Sequence, residues 1–292
     1  MKPGEFAKPF KITDGGKFRL KGFSPEETLG FDAKEKAQET LDRGISRLND
    51  LQDKLIAQDR WALLLIFQGM DAAGKDSTIK HVMSGVNPEG CHVHHFGVPS
   101  EEELNHDFLW RATQRLPARG NIGIFSRSYY EEVLVVRVHP HFLKQEKLDP
   151  TLVTPKVWEE RFEDIVAFER YLRRNGIVVR KFFLNVSKKE QKQRFLARLD
   201  EPEKHWKFSV NDVKDRECWG DFMRVYEEII QKTSTAFAPW YVVPADHKWF
   251  TRLVVAEAIV DALEELNLSY PKLDANKREE FKNARALLEH EK

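Results

Sequence analysis

Short apolar runs alternate with amphipathic segments along most of the chain, and this alternation predicts its fold. Between residues 35 and 58, apolar side chains recur at helical spacing, at Leu41, Ile45, Leu48, Leu51 and Leu55. The run WALLLIFQ follows at residues 61–68 and ends at Gly69. Because this run is short, apolar throughout and rich in Ile, Leu and Phe, it predicts a strand that is buried on both faces of a parallel sheet.

The rest of the chain repeats this order of strand and helix. Further strands are predicted at residues 91–98, 121–125, 177–186 and 240–245. Further helices are predicted at residues 75–84, 100–116, 155–176, 211–233 and 247–266. Capping boxes, which mark helix starts, are indicated by Ser100 with Glu103 and by Ser187 with Glu190. The apolar run at residues 133–138 suits either a helix or a strand. The whole pattern predicts an α/β fold whose mainly parallel sheet is sandwiched by helices.

One large domain with an extension at each end is the predicted organisation. Residues 1–33 are punctuated by glycine and proline and predict an irregular N-terminal arm. Residues 34–271 carry the alternating pattern and are predicted to form a single α/β domain, with lid segments near 127–155 and 194–210. Residues 272–292 are rich in charge and predict a helical tail.

Composition excludes several classes of protein. Lys and Arg together number 47, as do Asp and Glu, so the formal charge is zero and a strongly cationic nucleic-acid binder is not expected. No apolar run approaches the roughly 18 residues of a membrane helix, and residues 1–18 lack the apolar core of a secretory signal. The chain has two cysteines, which exclude a disulfide framework and predict a reducing, cytoplasmic location.

The charge is uneven, however. Residues 180–207 contain nine basic and four acidic side chains. This window predicts either a solvated helix face or a surface that binds a polyanion.

A phosphate-binding loop is the clearest motif. Residues 69–77, GMDAAGKDS, follow the first buried strand, precede a helix and have the spacing G-x-x-x-x-G-K. In such a loop, backbone N–H groups and the helix N-terminus face phosphate oxygens, and the lysine bridges two phosphates. The predicted phosphate-binding residues are Gly69, Ala72, Ala73, Gly74, Lys75, Asp76 and Ser77.

Two carboxylates in this loop predict a metal ion. Asp76 occupies the position where Ser or Thr normally binds magnesium, and Asp71 is a second carboxylate. A carboxylate beside a polyphosphate is repelled unless a cation lies between them. Either these carboxylates point away or at least one holds Mg²⁺ against the phosphates. We favour Asp71 as the metal ligand, whereas Asp76 can instead orient the helix start.

The motif FSRSYYEE at residues 125–132 ends the third predicted strand, where a parallel sheet delivers residues to the phosphate site. Arg127 is predicted to neutralise charge on the transferring phosphoryl group. Glu131 and Glu132 either hold metal or face solvent, and Glu131 is our second candidate metal ligand.

Basic residues predict a lid and an acceptor contact. Arg194 and Arg198 lie one helical turn apart, and Lys204 and Lys207 follow in a loop, which is typical of a lid that closes over phosphates. Arg111 is a candidate for binding the phosphate of the acceptor. A zinc site at His92, His94 and His95 is not favoured, because a complete tetrahedral ligand set is missing nearby.

Four motifs together, GMDAAGKD, FLWR, FSRSYYEE and RLDEPEKHWK, resemble the polyphosphate kinase 2 family from about residue 18 to residue 271. The resemblance implies a P-loop kinase core with a helical lid, and Mg²⁺-dependent phosphoryl transfer between inorganic polyphosphate and a nucleotide. It implies functional roles for Asp71, Lys75, Arg127 and Arg198. Ser126 departs from the Asp or Asn usual in the family, which puts the second metal position in question.

The sequence YEEVLVVRV at residues 130–138 is similar to the branch of the family that accepts both AMP and ADP. The expected partners are polyphosphate and AMP, ADP or ATP, with guanine nucleotides as further candidates. Neither a nucleic acid nor a membrane is expected as a partner. The chain is expected to form a homo-oligomer, either a dimer or a tetramer. The alternative is an ATP-dependent nucleoside or nucleoside-monophosphate kinase of the thymidylate kinase-like fold. A guanine-nucleotide switch is rejected, because the string nearest to its Asn-Lys-x-Asp motif is NKRE at residues 276–279, in the charged tail after the core.

Overall fold

The computed structural model describes residues 6–31 and 34–291. Among these residues a six-stranded sheet has the order β1-β6-β5-β2-β4-β3. Its strands are β1 (Lys11–Ile12), β2 (Ala62–Gln68), β3 (Cys91–His95), β4 (Ile122–Ser126), β5 (Ile177–Asn185) and β6 (Trp240–Pro244). Every neighbouring pair is parallel except β1 with β6. The predicted α/β fold with a mainly parallel sheet is confirmed.

Helices flank this sheet. The α-helices are α1 (Lys34–Gln58), α2 (Lys75–Val82), α3 (Glu101–Leu104), α4 (Trp110–Thr113), α5 (Val135–Val138), α6 (Val157–Arg174), α7 (Lys188–Asp200), α8 (Val210–Asp215), α9 (Trp219–Thr233), α10 (Lys248–Glu264) and α11 (Ala275–Glu289). Short 3₁₀ turns occur at Lys8–Phe10, Leu20–Gly22, Pro88–Gly90, Tyr129–Val133, Leu143–Gln145, Pro150–Leu152 and Pro202–Lys207. No helix of the described chain is both long and apolar enough to cross a lipid bilayer.

The core is centred on β2 and its neighbours. Every residue of β2, β4 and β6 is buried, as expected for strands that are covered on both faces. Helix α1 packs on α10 and α10 packs on α2, whereas α6 packs against β5 and α9. Strand β3 lies at the sheet edge and is largely exposed. The carboxyl ends of β2 and β4 lie side by side, because these strands pair in parallel.

Two predicted helices are interrupted. The helix predicted at residues 100–116 is two single turns, α3 and α4, because Asp107 Oδ1 accepts a hydrogen bond from the Leu109 amide and starts a new turn. The helix predicted at residues 211–233 is split into α8 and α9 around Arg216, whose side chain bonds to α7. The ambiguous run at residues 133–138 follows a 3₁₀ turn and forms α5.

The N-terminal arm packs on the domain. Phe6, Phe10 and Phe18 are buried in the main hydrophobic core, and the rings of Phe6 and Phe10 make edge contacts with Phe250 of α10. The arm also contributes β1, which the glycine and proline pattern did not predict. Residues 1–5 and 32–33 of the predicted arm, and residue 292 of the tail, lie outside the described residues. In α11, every described residue is exposed.

Acidic residues near the end of α10 give a pH-dependent contribution to stability. Burial, together with Glu257 and Glu264, raises the pKa of Asp261 to about 6. Between pH 4 and 6 the native state therefore holds more protons at this position than the unfolded state, so stability falls as pH rises. We expect Asp261→Asn to stabilise the protein by about 1 kcal/mol at pH 7.5, since the group is only half buried. Urea unfolding should show a difference that grows from pH 4.5 to 7; a constant difference would contradict this.

Candidate active site

The phosphate loop connects β2 to α2 in a shape that depends on its glycines. Gly69 and Gly74 have φ of 154° and 107°, and Ala72 has φ of 59°, so three loop residues lie at positive φ. A Cβ on Gly69 would lie 3.0 Å from the Leu184 carbonyl oxygen and 3.2 Å from the Ala73 Cβ. A side chain is therefore excluded at Gly69 by both conformation and space.

Lys75 is the first residue of α2 and is buried. Its Nζ donates hydrogen bonds to the backbone oxygens of Gly69, at 2.7 Å, and of Met70, at 3.3 Å. Burial lowers the pKa of Lys75, and the nearby Asp71 carboxylate opposes this effect. The ammonium thus lies inside the loop, where a second negative group such as a phosphate would offset its burial.

Arg127 lies directly after β4 and reaches the loop from the neighbouring strand. Its NH2 donates to Asp71 Oδ1 at 2.6 Å, and its NH1 lies 3.9 Å from Glu131 Oε2. Glu131 and Asp71 both raise the pKa of Arg127, which keeps the guanidinium charged. Arg127 itself has φ of 63°, a strained conformation for a side-chain-bearing residue. The structure thus brings together the two motifs predicted to meet at this sheet edge.

Asp71 and Glu131 are the carboxylates closest to this arginine. Burial raises the pKa of Glu131, while Arg127 and Lys75 lower it. Among the described residues, no group of three or more His, Cys, Asp or Glu side chains could hold a metal ion. Mg²⁺, however, typically uses one or two carboxylates together with phosphate oxygens, and the donor set here is oxygen only. The residues present fit a magnesium ion shared with a phosphate chain.

Asp76 and Glu132, the other two carboxylates of these motifs, contact groups other than Arg127. Asp76 Oδ1 accepts a hydrogen bond from Ser126 Oγ at 3.1 Å, which fits the alternative that Asp76 orients the start of α2. Glu132 is buried, so the alternative that it faces solvent is wrong. Burial and Glu146 raise the pKa of Glu132 to about 7, against the opposing charge of Arg161.

A cavity of about 290 Å³ lies in front of the loop. It is lined by loop residues, by Arg127 and by basic residues of the predicted lid, namely Arg194, Arg198, Lys204 and Lys207. Arg198 NH1 lies 3.6 Å from Asp212 Oδ2 of α8, and Lys204 is paired with Glu201. These four basic residues of the segment at residues 194–210 therefore line the same cavity as the loop, and their role in a lid stays a prediction.

Arg194 differs from the other lid cations. Its Nε donates to Glu190 at 2.8 Å, and its two terminal nitrogens donate to four backbone oxygens, those of Ala72, Ala73, Ala245 and Asp246. The direct phosphate contact predicted for Arg194 stays a prediction, but its guanidinium is already bonded to the backbone of the loop.

Only some of the basic side chains at residues 180–207 lie at the surface. Arg180 and Lys181 belong to β5 and are buried, Arg180 paired with Glu265 and Lys181 with Glu169 at 2.6 Å. These two charges cannot contribute to a polyanion track, because a strand in the middle of the sheet points its side chains into the helix layers. The net positive charge that this window presents at the surface is therefore smaller than the count of its basic residues suggests.

Sequence reasoning missed three residues near the loop. Lys248, at the start of α10, and His95, at the end of β3, line the same cavity. Asp212 faces Arg198, and burial together with Asp71 raises its pKa to about 6. The rule that ligands lie at the carboxyl ends of parallel strands could have found Lys248, which closely follows the strand predicted at residues 240–245. It did not find His95, because the strand predicted at residues 91–98 ends at His95 in the structure. His92 and His94 do not line this cavity.

A second cavity of about 100 Å³ lies beside the first, and Arg127 lines both cavities, whereas Glu131 lines the second. Its walls are largely apolar and include Phe96, Val136 and Phe142. Arg111 lines this cavity and not the first one; its guanidinium donates to the Gly97 oxygen at 2.8 Å and lies over the Phe96 ring.

A phosphate loop between a buried parallel strand and a helix, with basic lid residues facing it, defines the P-loop kinase class. The family model described as Polyphosphate kinase 2 (PPK2) matches residues 31–271. The chain is 47% identical over 282 residues to the ADP-polyphosphate phosphotransferase of Rhodopseudomonas palustris, covering 96% of this chain and 98% of that protein. It is 44% identical over 265 residues to the AMP/ADP-polyphosphate phosphotransferase of Meiothermus ruber, covering 90% and 95%.

A solved structure agrees with these relatives. The crystal structure of polyphosphate kinase 2 from Arthrobacter aurescens TC1 matches with a TM-score of 0.88 at 38% identity, covering 100% of this chain and 99% of that chain. The chain therefore belongs to the polyphosphate kinase 2 family, and the resemblance carried by its four motifs is confirmed.

Proposed function

We propose that this protein is a polyphosphate:nucleotide phosphotransferase that converts AMP and ADP to the next phosphate level. The observation that carries the proposal is the position of Arg127, which lines both the basic cavity and the apolar cavity. A phosphate chain in the first and a nucleotide in the second would meet at Arg127. The names of the relatives, an ADP-polyphosphate phosphotransferase and an AMP/ADP-polyphosphate phosphotransferase, support this reaction.

The basic cavity is the proposed donor site. Polyphosphate carries about one negative charge per phosphate, so a row of cations suits it better than a closed pocket does. Arg198, Lys204, Lys207 and Lys248 provide such a row along one side of the loop. The loop residues Ala72, Gly74 and Ser77, which line this cavity, would bind the terminal phosphates through the backbone and the start of α2. Gly69 and Ala73 do not line it, and the Ala73 N–H donates to the Met70 carbonyl oxygen at 3.0 Å.

The apolar cavity is the proposed acceptor site. Phe96, Val136 and Phe142 would pack against a base or ribose, and Arg111 would reach the phosphate of the acceptor. A preference between AMP and ADP, or between adenine and guanine, would depend on polar groups such as Glu132 and Glu146, which also line this cavity.

Transfer would rely on positioning and charge. Lys75 and the loop amides would stabilise the donor phosphates, and Arg127 would neutralise charge that develops on the transferring group. Arg198 would do the same from the lid. Asp71 and Glu131 would hold Mg²⁺, which when bound supplies further charge neutralisation between the phosphates.

One assay tests the function. Polyphosphate and Mg²⁺ are incubated with AMP, ADP, GMP or GDP in turn, and the products are separated by charge. We expect ATP from ADP, and ADP from AMP. Product formation from ATP and a nucleoside, with none from polyphosphate, would instead support the thymidylate kinase-like alternative, which the names of the relatives do not favour.

The basic residues of the predicted lid are expected to affect different kinetic constants. Lys204→Ala and Lys207→Ala should each raise the KM for polyphosphate and leave kcat nearly unchanged. Each should also reduce the slope of log affinity against log salt concentration by about one, because each removes one phosphate contact. Arg198→Ala should lower kcat, because Arg198 is proposed to act at the transferred group. Initial rates in a salt series measure both effects. Lys192→Ala is the matched control, since Lys192 is exposed on α7 and does not line the cavity. An equal change in the control would place the donor site elsewhere.

The cytoplasmic location and the homo-oligomer belong to the same proposal. Two free cysteines, Cys91 and Cys218, support a reducing compartment. The oligomeric state can be measured by light scattering.

A further inference from the structure

The phosphate loop is held from outside by two side chains of α7. Gln191 Nε2 donates to the Asp71 carbonyl oxygen at 2.8 Å. Arg194 NH1 donates to the carbonyl oxygens of Ala72, at 3.0 Å, and Ala73, at 2.8 Å. Three consecutive carbonyls of the loop are thus bound by residues that lie one helical turn apart.

Both side chains have further partners. Arg194 uses its remaining N–H groups on Glu190 and on the carbonyls of Ala245 and Asp246 after β6. Gln191 is fully buried, and its Oε1 accepts a hydrogen bond from Arg216 NH1 at 2.6 Å. Because Arg216 occupies the amide oxygen, the amide nitrogen of Gln191 must face the Asp71 carbonyl.

These contacts determine where the loop amides point. In a trans peptide, a carbonyl and the N–H of the next residue point in opposite directions. Carbonyls of Asp71 and Ala73 that face α7 therefore turn the N–H groups of Ala72 and Gly74 the other way, and both residues line the basic cavity. Ala72 is also held at φ of 59°, a conformation that persists in a non-glycine residue only when its surroundings impose it.

We propose that Gln191, Arg194 and Arg216 are positioning residues that preorganise the phosphate loop. They act through the backbone of residues 71–73 and not by contact with phosphate. Arg194 precedes the turn at Pro202–Lys207 and is bonded to the loop, and Arg216 follows this turn and is bonded to Gln191. The inference rests on the proposed function for its substrate.

The decisive variant is Arg216→Met, because Arg216 lines neither cavity and can act only through Gln191 and the Lys188 carbonyl. We expect kcat to fall by about 10- to 100-fold, less than the loss expected for a charge-stabilising donor that touches the substrate. The salt slope of polyphosphate binding should be unchanged, in contrast to Lys204→Ala. Arg194→Met should behave in the same way, with a larger loss of kcat.

A double-mutant cycle tests the relay. Gln191→Leu with Arg216→Met should be no worse than the more damaging single variant, because both break one chain of hydrogen bonds. Melting temperatures are measured for each, and Arg216→Lys should recover part of the activity. Unchanged kcat in Arg216→Met, independent effects in the cycle, or a salt slope reduced by about one in Arg194→Met would overturn the proposal. If the wild-type protein fails to use polyphosphate, it is the proposed function that fails.

Discussion

Replacing Lys75 with methionine is expected to lower turnover by at least about 10³-fold without lowering the melting temperature. The loss follows because Lys75 lies inside the loop and is proposed to stabilise charge on the transferring phosphates. Its charge is also buried, which lowers the pKa of Lys75 and shows that the ammonium is desolvated. An apolar side chain of similar length removes that burden, so thermal stability should be kept or should rise.

Turnover with saturating polyphosphate and ADP, measured beside thermal unfolding, checks this result. Lys192→Met is the control for loss of a helical lysine, because Lys192 does not line the cavity. A Lys75→Met protein whose activity falls only in step with a collapsed melting temperature would assign Lys75 a structural role.

Asp71→Asn is expected to lower turnover by about 10²- to 10³-fold at ordinary Mg²⁺ concentrations. The carboxylate is proposed to hold Mg²⁺ and lies 2.6 Å from the Arg127 guanidinium, which its charge keeps in place. An amide is a weaker magnesium ligand and pairs less strongly with Arg127, so both functions should weaken. Part of the activity should return as Mg²⁺ is raised, because mass action offsets a weakened site.

A titration of rate against Mg²⁺ for both proteins measures this shift. Asp76→Asn is the matched control: it removes a carboxylate from the same loop, but Asp76 is bonded to Ser126 and should cause the smaller shift. An Mg²⁺ dependence that is the same in Asp71→Asn and the wild type would remove Asp71 from the proposed metal site.

The sequence pattern correctly predicted the elements that are stabilised by residues close to one another in the chain. Residues 62–68 of the predicted run form a fully buried strand, and the loop at residues 69–77 follows it and begins a helix, because a buried strand and a glycine-rich turn each depend on neighbours in sequence. The same holds for the capping box of Ser100 and Glu103, which the structure confirms. The meeting of Arg127 with the loop also followed from the sequence, once β2 and β4 were taken as parallel neighbours.

Partners distant in sequence decided the rest. Nothing near Arg194 in the chain indicates that its donors are taken by carbonyls about the phosphate loop and after β6, and the charge count of residues 180–207 could not show that Lys181 is buried against Glu169. The arm was predicted as irregular from its glycines and prolines, but its phenylalanines pack on α10. The sequence by itself determined the α/β order, the phosphate loop and the charged candidate residues, because hydrophobic periodicity and turn-forming residues depend on short stretches of the chain. Only the tertiary structure decided which charges face the cavity and which hold the backbone, since a side chain's role depends on the groups that folding places within hydrogen-bond distance.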